Sequence, residues 1–460
     1  MKAREFEQQT MRNCIPKILT AEEQGWDFAS EMEKTGNELI KMKWESHVPG
    51  SNAEEHVIIG AIQDTENMGY DVREAEKIIP LGQEALKKGD LAALAGYSAE
   101  VFARLAEAPI NPKSPRWKYR QYLTFQELEK KIAFKEYPYS LDETGDYLPK
   151  TYLGWLGQIC GGALGTACEG YTKDNIFKAF GEIRGYIRTP NTYNDDITYE
   201  LAFLKAIEEK GKKVTSRDIA LKWVSLIPTG WSAEEIALEN IKMGIMPPES
   251  GFYHNPYREW IGAQMRGAVC GMLAPGDPKK AAGYAYMDGV VSHASNGVLG
   301  EVFNALLTSL AYVKKGMKET LLEAISYIPD DSEYYSVLKR SLDACLKYPD
   351  WEKAWDECEK IFGIYNWIHA YPNASIEVIA LYYGQGDYDE TMHIIASAGY
   401  DVDCNAAQAG TAVAILNNKP LNPKWTEPIG DTLITYMRNG KELSIKGLAA
   451  YTRQMALKLK

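Results

Sequence analysis

The stretch Gly399-Tyr400-Asp401-Val402-Asp403-Cys404-Asn405 sets two carboxylates one residue apart, ahead of a cysteine, an asparagine and a run of small residues. Like charges this close repel unless a cation, a shared proton or solvent offsets the cost. A second acidic pair, Asp195-Asp196, follows Asn194 and opens a run with helical periodicity. Acids at a helix start have an ordinary use, because they cap free N–H groups and complement the helix dipole. Their other use is ligation of hard cations, which take oxygen donors. The local sequence leaves both uses open.

Three more stretches carry polar groups in small or apolar surroundings. Residues 161–170, GGALGTACEG, suit close packing and end with Glu169. Residues 258–272, REWIGAQMRGAVCGM, hold Arg266 where a guanidinium needs a structural carboxylate or a ligand. In VSHASNGVLGEVFNALL, Ser292, His293, Ser295 and Asn296 precede an apolar helix, where the histidine is a satisfied structural group or a catalytic one.

The elements that must position these groups read as helices. Segments such as AFLKAIEEKGK, SAEEIALENIKMG and SEYYSVLKRSLDACLKY alternate apolar and charged residues at three and four positions, while long strand-like alternation is scarce. The expected fold class is all-α, with glycine-rich loops carrying the chemistry. The chain has 460 residues, more than one ordinary domain. It divides into a helical N-terminal region over 1–148, a main domain over 149–437 and a helical tail over 438–460. The proline- and aromatic-rich stretch around Trp117 and Tyr122 reads as a connection that wraps between parts.

The 63 acids against 51 bases give a net charge of −12, which disfavours nucleic acid and anionic membranes as partners. Seven cysteines form no C-x-x-C pair, which fits reduced thiols in a cytoplasmic protein. The start of the chain lacks the apolar stretch of a signal peptide, and the most apolar segment carries Glu301 and Asn304, so no export and no membrane span are expected. Self-association stays open.

Taken in order, the five stretches resemble the ADP-ribosylglycohydrolase family over about residues 150–435. The resemblance rests on a Gly-Ala segment ending in Glu, an Asp-Asp pair before a helix, a G-x-x-M-R segment, a Ser/Thr-His segment and G-x-D-x-D-x-N-A. It implies an all-α fold with two magnesium ions, or manganese, at the base of a cleft. Asp195, Asp196, Asp401 and Asp403 would be their carboxylate ligands, and Asn194 and Cys404, in the flanking positions, complete the expected metal-site residues. Glu169 matches the family's mobile glutamate and is the expected general acid/base, with metal-bound Asp196 or Asp403 as its competitors. Ser292, His293, Asn296, Trp260 and Arg258 are the expected substrate contacts.

The chain departs from the family pattern at three places. Asn194 and Cys404 stand where hydroxyl residues are usual, and a neutral thiol is a poor partner for a hard ion. Gly162 replaces an aspartate. Bulky residues 257–261 replace the glycine-rich turn that cradles a diphosphate. The expected activity is therefore metal-dependent cleavage of an N- or O-glycosidic bond in a small-molecule glycoside or ribosylated substrate, not necessarily ADP-ribose. A true ADP-ribosyl-acceptor hydrolase, a non-catalytic sugar-binding protein and a phosphohydrolase are the alternatives.

Overall fold

The computed structural model describes residues 2–460. Among these residues strands occur only as three short antiparallel pairs, and helices build the rest of the ordered framework. The all-α expectation is met.

Beyond the exposed helix Ala3–Asn13, the N-terminal region forms a small core of its own, reached by the end of the helix Trp26–Trp44. Helices α1 (Val57–Asn67) and α2 (Leu91–Ala106) enclose Ile58, Ile62, Leu94 and Val101 with Trp44. Asp90 caps α2 by accepting from the Ala93 N–H at 3.0 Å. A second face of α1 carries Val57 and Ala61 onto Ala233, Tyr257 and Trp260 of the main body. The stretch that follows wraps that body as its composition predicts. Buried Arg116 reaches Glu259 at 2.6 and 2.7 Å and Glu333 at 3.3 Å, while Tyr122 donates to Asp331 at 2.7 Å.

The main body is centred on α3 (Tyr147–Gly165), which lies along α7 (Val402–Asn417). Glycine costs a helix about 1 kcal/mol relative to alanine, so several on one face need a packing reason. Here Gly157, Gly161 and Gly165 supply it. A Cβ at Gly161 would lie 2.3 Å from the Ala406 carbonyl oxygen, and one at Gly165 would lie 2.1 Å from the Asp403 Cα. The two backbones thus meet at the start of α7, where Asp401 and Asp403 sit.

Around this pair stand α4 (Asp196–Lys210), α5 (Asn296–Ala311), α6 (Ala370–Gly384) and α8 (Ile445–Lys458). Every residue of α5 is buried, which explains its apolar sequence, and no described helix is long and apolar enough to cross a membrane. The tail helix α8 is built into the body, with the Trp155 indole of α3 donating to Thr452 at 3.0 Å.

Candidate active site

Two helix N-termini meet at the acidic motifs. Asp195 occupies the N-cap of α4 and Asp401 that of α7, yet neither side chain makes a capping hydrogen bond. Capping therefore does not account for Asp195 and Asp401, while Asp196 and Asp403 lie in the first turns of the two helices. Asn194 does the work at α4: its amide oxygen accepts from the Asp196 N–H at 2.7 Å. Its amide nitrogen donates to Asp403 at 3.1 Å, joining motifs that are two hundred residues apart. A second link runs from the Cys404 thiol to Asp196 at 3.5 Å.

Glu169 enters from the loop after α3. Its carboxyl lies against Asp403, close enough to share a proton. Five carboxyl groups thus lie near one another, and among the described residues no lysine or arginine is in direct contact with them. Three of their buried oxygens, Asp196 Oδ2, Asp401 Oδ1 and Asp403 Oδ1, have no hydrogen-bond partner.

The electrostatic consequence is uniform in sign. Burial first, then the charge of Asp403, holds Glu169 and Asp196 well above the ordinary carboxylate range, and the same pair of causes raises Asp401. Burial also raises Asp403. Asp195, at the solvent side of the cluster, is pushed up to about 6 by desolvation and by Asp403. Carboxylates placed this way ionise together only when positive charge is supplied.

The donor set fits a hard divalent cation. It consists of carboxylate oxygens, three of them unpartnered and buried, and such ions prefer oxygen. One atom each from Asp401, Asp403 and Cys404 lie within 4.8 Å of one another. Burial and the surrounding acids keep the Cys404 thiol protonated, with its sulfur also 3.8 Å from Met265 Sδ. As a neutral donor to Asp196 it orients a carboxylate. Asn194, with both ends of its amide engaged, does the same. Gly162, in the aspartate position of the resemblance, borders a cavity of about 10 Å³ with Gln158, Thr192, Asn194 and Asp196. That is room for one water in place of a side chain.

Most of the expected substrate contacts are enclosed within the fold. Trp260 is 1% exposed and packs beneath α1, so it has no face open to a sugar. Asn296 is buried, donating to Glu259 at 3.1 Å and accepting from the Tyr334 N–H at 3.2 Å. Ser292 and His293 are also buried, 2.7 Å apart, and Ser292 accepts from Arg266 at 2.9 Å. Arg258 is half-buried at a separate pocket of about 260 Å³, walled by Phe102 and Leu105 of α2 and by Tyr253. The N-terminal region covers the turn that carries Trp260, while Ser292, His293 and Asn296 are enclosed by the main body's own hydrogen bonds. Arg266 has structural partners: it pairs with Glu234 at 3.0 Å and with Asp288, and Glu301 lies 3.8 Å away.

Two contributors had no local signal. Asn373 of α6 accepts from the Asp401 N–H at 3.1 Å and from Asn405 at 2.8 Å, locking the start of α7. Arg188 donates to the carbonyl and hydroxyl oxygens of Thr166, just before Glu169. Both act on partners distant in sequence, which a single chain read linearly does not reveal.

Comparison with known proteins bears on the fold and the family. No curated protein sequence matches the chain. A solved structure titled "ADP-ribosylglycohydrolase-related protein complex" is similar in fold at a TM-score of 0.50 and 18% identity, covering 68% of this chain and 99% of that one. The family profile for ADP-ribosylglycohydrolase matches residues 144–453, well over half of the length, and the chain therefore belongs to the ADP-ribosylglycohydrolase family.

Proposed function

We propose that this protein is a divalent-cation-dependent glycohydrolase that cleaves an N- or O-glycosidic bond to a ribosyl or related sugar. The observation that carries this reading is the meeting of Asp195, Asp196, Asp401 and Asp403 around buried oxygens without partners. Magnesium or manganese held there would neutralise the acids, bind vicinal sugar hydroxyls and lower the pKa of water. The chain's own groups do the rest. The four aspartates bind, while Asn194 and Cys404 fix the orientation of Asp403 and Asp196. Glu169 holds or moves a proton at its carboxyl beside Asp403. The surrounding carboxylates stabilise the positive charge that develops on the sugar ring as the bond breaks.

The substrate needs no diphosphate cradle at residues 257–261. There the Trp260 N–H donates to the Tyr257 carbonyl at 2.9 Å and the Ile261 N–H to the Ile368 carbonyl at 2.8 Å, so neither is free for phosphate oxygens. A small-molecule or ribosylated glycoside recognised through its sugar fits this arrangement.

One observation favours a second reading, hydrolysis of ADP-ribosyl acceptors with the diphosphate held elsewhere. Among the described residues the Arg258 guanidinium hydrogen-bonds only to the Asn255 carbonyl, at 3.0 Å, which leaves donor nitrogens for an anion. ADP-ribose binding that disappears in Arg258→Ala supports this second reading, and no binding at millimolar ADP-ribose dismisses it.

The main test is incubation with magnesium or manganese and a panel of glycosides, nucleosides and ADP-ribosylated acceptors. Turnover is expected in the parent and is lost on chelation and in Asp195→Asn. Metal affinity identical in parent and Asp195→Asn, with no turnover on any member of the panel, rejects the proposal. Binding without cleavage that survives Glu169→Gln identifies a sugar-binding protein instead.

A further inference from the structure

The geometry points to a role for the N-terminal region that rests on the glycohydrolase reading: we propose that its turn at residues 48–52, clamped by Arg188, positions Glu169 for proton transfer. Strands β1 (Ser46–His47) and β2 (Glu54–Glu55) pair with Ser46 opposite Glu55 and His47 opposite Glu54. The turn between them is closed by the Val48 N–H on the Ala53 carbonyl at 2.9 Å and the Asn52 N–H on the Val48 carbonyl at 2.8 Å. At its tip is Gly50. A Cβ there would lie 2.1 Å from the Thr166 carbonyl oxygen and 3.1 Å from Glu169 Oε1. The turn backbone therefore rests directly on the segment that carries Glu169.

Arg188 fastens the two together. One guanidinium nitrogen donates to the Gly50 carbonyl, and the other donates to Thr166 O at 3.4 Å and Thr166 Oγ1 at 3.3 Å. Thr166 ends α3, so the guanidinium also complements the negative end of that helix dipole. Further along, the Tyr171 hydroxyl donates to the Ser51 carbonyl at 3.0 Å. On the opposite side the Gly170 N–H donates to the Tyr400 carbonyl at 2.9 Å, and β3 (Tyr171–Thr172) pairs with β4 (Gly399–Tyr400), which leads straight into Asp401.

Residues 166–172 are thus held in a slot between an N-terminal turn and the strand that begins the Asp-x-Asp motif. A carboxyl that must hand a proton to a leaving group gains from a fixed position, since misplacement by an ångström costs much of the rate. Gly50 and Arg188 touch neither the aspartates nor the space between them, so they act through Glu169. They are positioning residues.

The test uses the full-length protein with manganese and the panel glycoside that the parent cleaves fastest. Gly50→Ala and Arg188→Ala are each expected to lower kcat by about 10- to 100-fold while KM and the calorimetric manganese affinity stay within about threefold. Arg188→Lys, which keeps one donor, recovers part of the loss. Adding Gly50→Ala to Glu169→Gln is expected to cost less than about twofold more, because both changes remove the same function. Amide exchange across residues 166–172 should rise by about tenfold or more in Arg188→Ala, with α4 unchanged. Losses that multiply with Glu169→Gln, or exchange equal to the parent, overturn the proposal. A parent that turns over no glycoside rejects the glycohydrolase reading alone, and the exchange measurement still decides whether the clamp exists.

Discussion

Two clusters of carboxylates lie within the same helical body, and they differ in whether the chain itself sets a positive charge among them. Around Arg266 the chain supplies its own cation. The guanidinium pairs with Glu234 and Asp288, sits 4.8 Å over the Trp223 ring, and accompanies Glu301, which burial keeps protonated so that it shares a proton with Asp288. Around Asp403 five carboxyl groups meet, and among the described residues no basic side chain is in contact with them and three of their oxygens have no hydrogen-bond partner. The first cluster carries its own cation, although Asp288 Oδ1 and Glu301 Oε2 also lack a hydrogen-bond partner apart from the proton they share. The second has no such internal charge, which is what the proposed cation would supply.

The sharpest way to break this contrast is to remove the internal cation. Arg266→Ala leaves Glu234 and Asp288 buried without their partner and is expected to cost about 3–5 kcal/mol, read as a lowered melting temperature or loss of soluble protein. The same operation in the other cluster should act in the opposite sense on stability. Asp403→Asn removes a repelling charge, so the metal-free protein should melt no lower than the parent. Its metal-dependent turnover should fall by about 10²–10³-fold.

Glu234 sharpens the comparison through pH. Burial, partly offset by Arg266, pushes it up to about 7. The folded protein then holds a proton that the unfolded chain releases above about pH 4.5, so stability falls as pH rises from there to about 7 and levels off beyond; a shift of that size corresponds to about 3 kcal/mol. Glu234→Gln should flatten this slope in denaturant titrations across that window. The smallest expected effect is the metal itself. Magnesium or manganese at a hundred times its dissociation constant should stabilise the parent by about 2.7 kcal/mol, and should do nothing for Asp195→Asn.

Much of this was legible along the chain, for reasons that differ from residue to residue. The helical periodicity and the paired acids are local features, and the order of the motifs carried the family. Trp260 shows the opposite case. Its neighbours in sequence are aromatic and suit a sugar platform, but α1, two hundred residues earlier, covers it. Asn296 likewise reads as a polar residue at a helix start available to a ligand, and Glu259 with Tyr334 claims it. Asn373 and Arg188 carried no signal because their partners lie across the fold.

By itself, the sequence determined the helical class, the acidic excess and the four aspartates, since periodicity and residue type are properties of short segments. Tertiary structure alone decided that those aspartates lie near one another, that Arg266 is satisfied from within, and that the N-terminal turn rests on Glu169. Burial and pairing depend on what arrives from distant parts of the chain, and charge acquires its cost only once water has been excluded around it.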